Sequence, residues 1–582
     1  MKRKSMDVGG ENIAGIQMEN LYEDLIHNIL AFLPTIDATR CGVLSKALRS
    51  FWLSFPVLDL DFTRFASGKR FNSVTPFLHF VERSLQTRGP HIKKQLEKLR
   101  FSFNSQIPKE EVDDFEALVN RLLEFALEKS VKELDLHICC KRSLKHNPSF
   151  LRVLSLKSIT SLKLKGFGYE LSELNLTNPS LEYLSVYTCN TLKTIRVSSG
   201  RLKNIELNHC FDLQSVHVEA ESLESFSYGG FDVNEKCRID ISACQRLQNL
   251  TLVSARLSTK FFEQLAGLLL LKFLCLISCF LPETLNICNF SLKTITIRGC
   301  LKLERVVISA KSLETFKYVA RSWNDDSCAF DISACTSLTK VELKGAAVTD
   351  DWVNTNVSSF SFLQVLVLKG CKFLENVELK NKKLEILALE YCHNLKKADI
   401  DARNLLRFSY CGSPDLVLLI TSAKYDAKIK LDRGVSHYWL GNLINFLPPF
   451  NHGKSLTLHC SSAEDLIFSK EKFLDKLHPL PDLRHLTVQL QEMPNTPTLV
   501  KLVENLLWFV PNPVVVTIVS GTKKYSLKFH YSDQIERTEI VYCCCHRFPL
   551  KCWRYHVGNI IMDNFEPDEK SHFEELFGGY LH

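Results

Sequence analysis

Cysteine and histidine are the side chains here whose chemistry comes first. Cys543, Cys544, Cys545 and His546 run together, with Cys552 and His556 just behind them. Thiolate and imidazole are zinc ligands, so the cluster invites a metal reading. The spacing speaks against it. Three adjacent cysteines do not easily point at one ion, and six residues separate Cys545 from Cys552. In an extended strand Cys543 and Cys545 simply share one face. Cys237/Cys244 and Cys328/Cys335 also have six intervening residues, and the second pair follows the first by 91 residues. They are parts of a repeat, at a spacing wider than zinc sites use. No metal and no cofactor is expected. A Cys–His nucleophile needs a spatial neighbour that spacing does not supply. There is no glycine-rich phosphate loop, no H-E-x-x-H, and no carboxylate pair suited to acid–base work. The chain is not expected to be an enzyme.

The repeat positions most of these cysteines. Cys210–Tyr228, Cys300–Tyr318 and Cys392–Tyr410 are copies of one segment, 90 and 92 residues apart, and Asp240-Ile-Ser-Ala-Cys244 returns as Asp331-Ile-Ser-Ala-Cys335. Inside that period runs a shorter one. L-x-x-L-x-L-x-x-C begins at Leu181, Leu202, Leu271, Leu292, Leu363 and Leu384, with looser copies between, at spacings of 21 to 25 residues. This is a leucine-rich repeat. The second and third leucines are two apart and point to one side of a short strand. One unit cannot bury that side alone, so units stack into a curved solenoid with a single parallel sheet on the concave face. The cysteine follows the strand as a small buried side chain with a weak S–H donor. The short units leave little room for helices, so their outer side is expected to be irregular or 3₁₀.

Composition narrows the class. An apolar content of 45% is globular, and a net charge of +7 on 582 residues is too mild to point to nucleic acid. Twenty-one cysteines, mostly at repeat positions and without a secretory signal ahead of them, suggest reduced thiols in the cytoplasm or nucleus. Leu265 to Leu281 is apolar over 17 residues, at the lower edge of a membrane span. It also fits the repeat frame, so it is expected to be a buried strand with its flank, and no membrane partner is expected.

Residues 1–18 are polar and aperiodic and are expected to be disordered. Beyond them Leu21, Leu25, Ile29 and Leu33 fall every four residues, with Ile26 and Leu30 beside them, until Pro34. That is a helical stripe. Residues 37 to 44 suit a second short helix, and Ser45 a third helix's N-cap ahead of Leu48, Phe51 and Trp52. Three short helices are too small to bury this much apolar surface, and the surplus points to a partner. Leu21-Tyr-Glu-Asp-Leu-Ile-His-Asn-Ile-Leu-Ala-Phe-Leu-Pro34, then Val43-Leu-Ser-Lys46 and Arg49-Ser-Phe-Trp52, resembles a plant F-box. Continuing through Phe55-Pro56-Val-Leu-Asp-Leu-Asp61, it resembles the plant F-box/leucine-rich-repeat family. Two positions depart from the family pattern: Tyr22 replaces its proline, and Ala47-Leu48-Arg49 replaces an aromatic-containing run. Pro549 to His556 with Ile560 to Phe565 resembles the start of the FBD region that closes many members.

The expected organisation is a disordered tail (1–18), an F-box (19–64), the solenoid (65–540) and an FBD-like segment (541–582). Helices are expected near 75–85, 113–127, 440–447 and 499–510, and strands near 99–103, 134–136, 456–458, 483–490 and 514–519. On the concave face the exposed positions include Val253, Phe273, Cys275 and Ile277, then Arg298, Lys317, Lys340 and Lys344, then Val365, Val367 and Ile386. A basic stripe between two apolar patches is the make-up of a protein-binding surface. The resemblance implies a substrate-recognition subunit of an SCF-type ubiquitin ligase. Leu21, Tyr22, Leu25, Ile29, Leu33, Pro34, Val43 and Leu44 would dock a Skp-type adaptor, and the concave face would hold an unidentified target protein. Two other readings stand beside it. One is a receptor holding a small anion on Arg298, Lys340 and Lys344 rather than pairing those lysines with Glu342. The other is a non-degradative scaffold.

Overall fold

A computed structural model describes residues 23–33, 35–66, 73–92, 95–139, 148–166, 171–230, 237–322, 328–422, 424–431, 439–468, 478–531 and 557–577. Leu21, Tyr22, Pro34, the first 18 residues and the cysteine–histidine cluster of 543–556 lie outside them. The chain forms two compact units, Met1–Arg256 and Leu257–His582.

The first unit opens with three short helices: α1 (Glu23–Ala31), α2 (Thr35–Leu44) and α3 (Lys46–Ser54). Ser45 caps α3 as its sequence suggests, its hydroxyl accepting the Leu48 N–H at 3.1 Å. Ile26 and Leu30 of α1 pack with Ala38, Leu48, Trp52 and Phe55 in a small core, with Leu33 partly buried against it. Beyond it, strands Val57–Asp61, Lys98–Phe103, Glu133–Ile138, Ser161–Lys165, Tyr183–Tyr187, Asn204–Asn208, Ser225–Gly229 and Asn249–Val253 pair in parallel, each with its neighbour in this order. Helices Thr75–Arg88 and Val112–Glu128 precede the second and third of these strands. Alternate strand residues are buried, as period-two patterning requires.

The second unit continues the pattern. Its strands pair in parallel from Phe273–Ile277 through Thr294–Arg298, Thr315–Val319, Lys340–Lys344, Val365–Lys369, Ile386–Glu390 and Arg407–Gly412. They run on to Val515–Ser520. Two further strands, Lys523–Tyr531 and Val557–Asp563, close this sheet antiparallel. The apolar run from Leu265 divides between the end of helix Thr259–Leu265 and strand Phe273–Ile277. No helix among the described residues is long and apolar enough to cross a membrane.

The outer side differs from the irregular surface expected. In the first unit Glu173–Leu176, Thr194–Ser198, Ser215–Glu219 and Arg238–Asp240 form a second parallel sheet. In the second unit Thr284–Cys288, Arg305–Ser309 and Ala329–Asp331 form another, and Asn376–Lys380, Lys397–Asp401 and Val417–Thr421 a third. These units carry a second apolar pair, such as Ile195 and Val197, that faces the same core from the other side. Helices Thr259–Leu265 and Asp350–Ser359 take the place of the outer strand in two units, although the short spacing leaves little room for them. Asp350 and Asn354 then cover the edge of the following outer strand, accepting the N–H groups of Glu375, Asn376 and Glu378 at 2.8, 2.9 and 2.9 Å.

The repeat cysteines sit where expected, and the turns explain why. Thr188, His209, Ser278 and Tyr391, each just before a cysteine, take positive φ, and Gly299 and Gly370 do so without strain. The chain then drops inward and the thiol points back one repeat. Cys210 Sγ lies 4.0 Å from Val186 O, and Cys392 Sγ 3.7 Å from Leu368 O. Buried Asn178, Asn289 and Asn381 follow a different rule. Each stands three residues before a unit's first leucine and donates to two carbonyls at the end of the preceding helix-bearing segment. Asn289 Nδ2 reaches Leu265 O (2.8 Å) and Leu268 O (3.0 Å), and Asn381 Nδ2 reaches Val357 O and Phe360 O at the same distances.

Candidate functional site

Helix α1 is apolar on two sides. Ile26 and Leu30 serve the core, which leaves Leu25 and Ile29 on the outside at 48% and 37% exposure. Phe32 (89%), Val43 (83%) and Leu44 (77%), where α1 and α2 end, are almost wholly exposed. Five large apolar side chains on about thirty residues are far more than scattered surface residues would give. Phe32 was not among the residues singled out above, because it lies off the four-residue stripe. His27 Nε2–H donates to Phe51 O at 3.1 Å and fixes α1 on α3.

In the second unit the register lays the predicted residues out in rows. Phe273, Thr294, Thr315, Lys340, Val365 and Ile386 are successive partners; Ile277, Arg298, Val319, Lys344 and Lys369 form a parallel row. Phe273 is exposed, and Ile277, Val365, Val367 and Ile386 are half-buried on the outward face. Phe273 lies three strand spacings, roughly 14 Å, from Lys340. Val253 belongs to the last strand of the first unit.

The stripe between the patches is not a free anion cradle. Glu342 sits at its centre, its carboxylate 2.7 Å from Lys340 Nζ, 3.2 Å from Lys317 Nζ and 4.0 Å from Lys344 Nζ. Burial pushes its pKa up, but the hydrogen bonds from Lys340 and Lys317 outweigh burial and hold it below the usual value. Lys369 is likewise 3.1 Å from Glu390 and stands over the Tyr391 ring at 4.9 Å. The anion-receptor reading required these lysines to converge on an absent ligand; they converge on Glu342.

Sequence reasoning also passed over a second outward cluster, in the first unit. Lys163 lies over the Tyr183 ring at 5.0 Å and Lys165 over Tyr187 at 5.1 Å. Tyr183 donates to Glu206 Oε2 at 2.8 Å, and burial together with that bond pushes its pKa up to about 12. Next to it Arg100 stands 3.6, 3.6 and 3.5 Å from Asp59, Asp61 and Asp135. The signal was available: Tyr183 and Tyr187 occupy the third and seventh positions of the unit that starts at Leu181.

None of these clusters has the geometry of a catalytic centre. Among the described residues no group of three potential ligands could hold a metal. Burial pushes the thiols of Cys244 and Cys335 up to about 11, which makes them poor nucleophiles at neutral pH. What the surfaces can do is dock other macromolecules.

Known families match both the N-terminal helices and the repeats. The model of the At1g61320/AtMIF1 LRR domain matches residues 89–266 and 325–506, more than half of the chain. The F-box domain model matches residues 18–60. Among curated proteins of Arabidopsis thaliana, the chain resembles the putative F-box/FBD/LRR-repeat protein At4g03220, 28% identical over 238 residues, covering 36% of this chain and 45% of that one. It resembles the FBD-associated F-box protein At1g66310, 28% identical over 257 residues, covering 42% and 54%. It also resembles the F-box/LRR-repeat protein At3g59190, 32% identical over 171 residues, covering 28% and 40%. The chain spans about half the length of the curated relatives it matches.

Proposed function

Since the chain belongs to the At1g61320/AtMIF1-type leucine-rich-repeat family and carries an F-box domain, we propose that it is the substrate-recognition subunit of an SCF-type ubiquitin ligase. The observation that carries this reading is the outer face of α1 and α2. A three-helix segment that already owns a core still exposes Leu25, Ile29, Phe32, Val43 and Leu44. An apolar face of that kind is suited to burial against a partner's helical groove, here a Skp-type adaptor. Leu33 contributes at its margin, and Leu21, Tyr22 and Pro34, outside the described residues, belong to the same proposed docking set. The repeats then hold a target protein through their outward strand faces, with Phe273, Ile277, Val365, Val367 and Ile386 as apolar anchors. Arg298, Lys317, Lys340 and Lys344 complete that surface, and Val253 is a separate target contact proposed on the first unit.

The chain's part in ubiquitin transfer is proximity. Other subunits carry the chemistry, and this one raises the effective concentration of a target lysine near the loaded enzyme. It therefore acts in the cytoplasm or nucleus and has no need of catalytic residues.

The test is a pull-down of full-length protein with a Skp-type adaptor, beside the Val43→Asp/Leu44→Asp double variant and Ile29→Asp. Val43 and Leu44 are so exposed that the double variant keeps the fold, while two carboxylates forced against an apolar partner should weaken binding by at least about a hundredfold. Binding by the wild type and loss in the double variant support the reading. Absence of wild-type binding would leave a repeat scaffold without adaptor docking.

A further inference from the structure

Arg88 ends helix Thr75–Arg88 and is 1% exposed. Its Nη2 donates to Phe55 O and, at 3.0 Å, to Val57 O, where α3 gives way to the first strand. The guanidinium carbon lies 5.4 Å from the Trp52 ring centroid and 6.0 Å from that of Phe55. These partners are all neutral, and among the described residues no carboxylate pairs with Arg88. Burial pulls its pKa down to about 10, so it stays cationic at neutral pH. A full charge out of water without a counter-ion is costly and rare.

Two donors here also lack acceptors: Arg88 Nε and the indole Nε1 of Trp52, itself buried. Both residues line a cleft of about 110 Å³ between the three-helix core and the first strands, with Lys98, Arg100 and Asp59 on its other wall. Asp59 Oδ2 is held 3.0 Å from Arg64 and 3.6 Å from Arg100, while its buried Oδ1, like Arg100 Nε, makes no hydrogen bond among the described residues, and burial raises the carboxyl pKa against the pull of the two arginines. Lys98 lies 3.5 Å from Glu133. The free volume is several times the ≈ 30 Å³ share of one water in the liquid, and it holds a group of only a few heavy atoms. An unpaired cation and the orphan N–H groups of Arg88 and Trp52 exclude a cationic or purely apolar guest, and the buried Asp59 Oδ1 calls for a guest that also carries a donor, as the P–OH of a hydrogen phosphate does.

We propose that this cleft binds a small tetrahedral oxyanion, a phosphate group, on Arg88 and Trp52. The anion supplies the missing counter-ion and accepts both orphan N–H groups. It joins α3, helix Thr75–Arg88 and the first two strands through one ligand, so occupancy firms the seat of the three-helix segment on the repeats. The site shares only Leu33 with the proposed adaptor face and does not depend on the ligase reading.

The test is calorimetric titration of the full-length protein with inorganic phosphate, at fixed ionic strength in chloride, with melting temperature as a second readout. One saturable site per chain and a rise in melting temperature are expected. Trp52→Phe keeps the ring and removes one donor; it should weaken binding about tenfold. Arg88→Met should abolish it, and if that variant does not fold, Trp52→Phe together with Lys98→Gln decides. A parallel titration with glycerol 3-phosphate separates sources: binding of the ester assigns the site to the phosphate of a larger molecule, and its rejection assigns it to the free ion. No saturable binding of either, or binding that Trp52→Phe and Lys98→Gln both leave unchanged, overturns the proposal and leaves the cleft to water.

Discussion

Replacing Asn289 or Asn381 by alanine tests whether the repeats are clasped as described. Each amide donates to two buried carbonyls, at 2.8 and 3.0 Å in both copies, and its oxygen accepts a backbone N–H two residues on, from Ser291 at 3.0 Å or Lys383 at 2.9 Å. Truncation removes three hydrogen bonds, two given by the amide and one accepted, although Leu265 O, Leu268 O and Phe360 O each keep a backbone N–H, from Leu268, Leu271 and Leu363. At about 1 kcal/mol net each, the loss is about 3 kcal/mol. In a stacked array that loss is local, because each unit contacts only its neighbours. The assay is amide hydrogen exchange followed by mass spectrometry. Asn289→Ala should speed exchange in helix Thr259–Leu265 about a hundredfold, and Asn381→Ala should do so in helix Asp350–Ser359. Asn→Asp sharpens the test. An ionised carboxylate has the amide's shape but no donor, and it faces two carbonyl oxygens, so its pKa rises. An acid whose folded pKa is raised costs stability as pH climbs above its ordinary value. Asn289→Asp should therefore be worse at pH 8 than at pH 4, and Asn289→Ala indifferent. Changes below about fivefold in both alanine variants, or faster exchange spread evenly over the unit, would refute the clasp.

Glu342→Gln removes the anion that three lysines share. The folded pKa of Glu342 is lowered, so its contribution is present above the ordinary value of 4.5 and is lost as pH falls through the folded value. The variant should be less stable than wild type by about 1–2 kcal/mol at pH 7, with the gap closing at acid pH and narrowing in 1 M salt; a gap independent of both would mean that packing, not charge, holds Glu342. Thiol labelling gives an independent check on burial. Cys139 and Cys288 are exposed and should react within minutes at pH 8, whereas Cys244 and Cys335 should react only on unfolding. Early modification of Cys244 would contradict the stacking.

The leucine frame, the Ser45 cap and the helix and strand positions flanking the regular array were legible because each rests on local periodicity or a single capping side chain. The outer sheets were not. Ile195 and Val197, or Val216 and Val218, show the same two-residue spacing as an inner strand, but five residues with no turn signal read as connection. Only the pairing of one repeat with the next makes them strands. The clasp was hidden for another reason. The position three before the first leucine holds Asn178, Ser199, Ala220, Cys244, Leu268, Asn289, Ala310, Cys335, Phe360, Asn381 and Ala402 in turn, which looks unconstrained. Asparagine stands there when the preceding segment ends a helix whose last carbonyls reach that position, a condition visible only once the helices are in place. At the surfaces, Lys340-Val-Glu-Leu-Lys344 shows three charges on one face, but their mutual neutralisation needed the 3.2 Å approach of Lys317 from the next strand. Arg88 gave no signal, since its burial depends on carbonyls of Phe55 and Val57 far along the chain.

The long period of this chain now has a consequence for how such proteins are remodelled over evolutionary time. A deletion that fuses Cys300 to His393 removes helix Asp350–Ser359 and Asn381 together, and places Lys397–Asp401 and Arg407–Gly412 where Arg305–Ser309 and Thr315–Val319 had been. Both faces find matching neighbours, and no helix loses its asparagine. Excision of the single turn from Leu363 to Lys383 keeps the leucine count in frame but discards Asn381 and strands the helix it serves. The heritable module is therefore the block of some ninety residues, and length variation among kin should come in that denomination rather than in twenties.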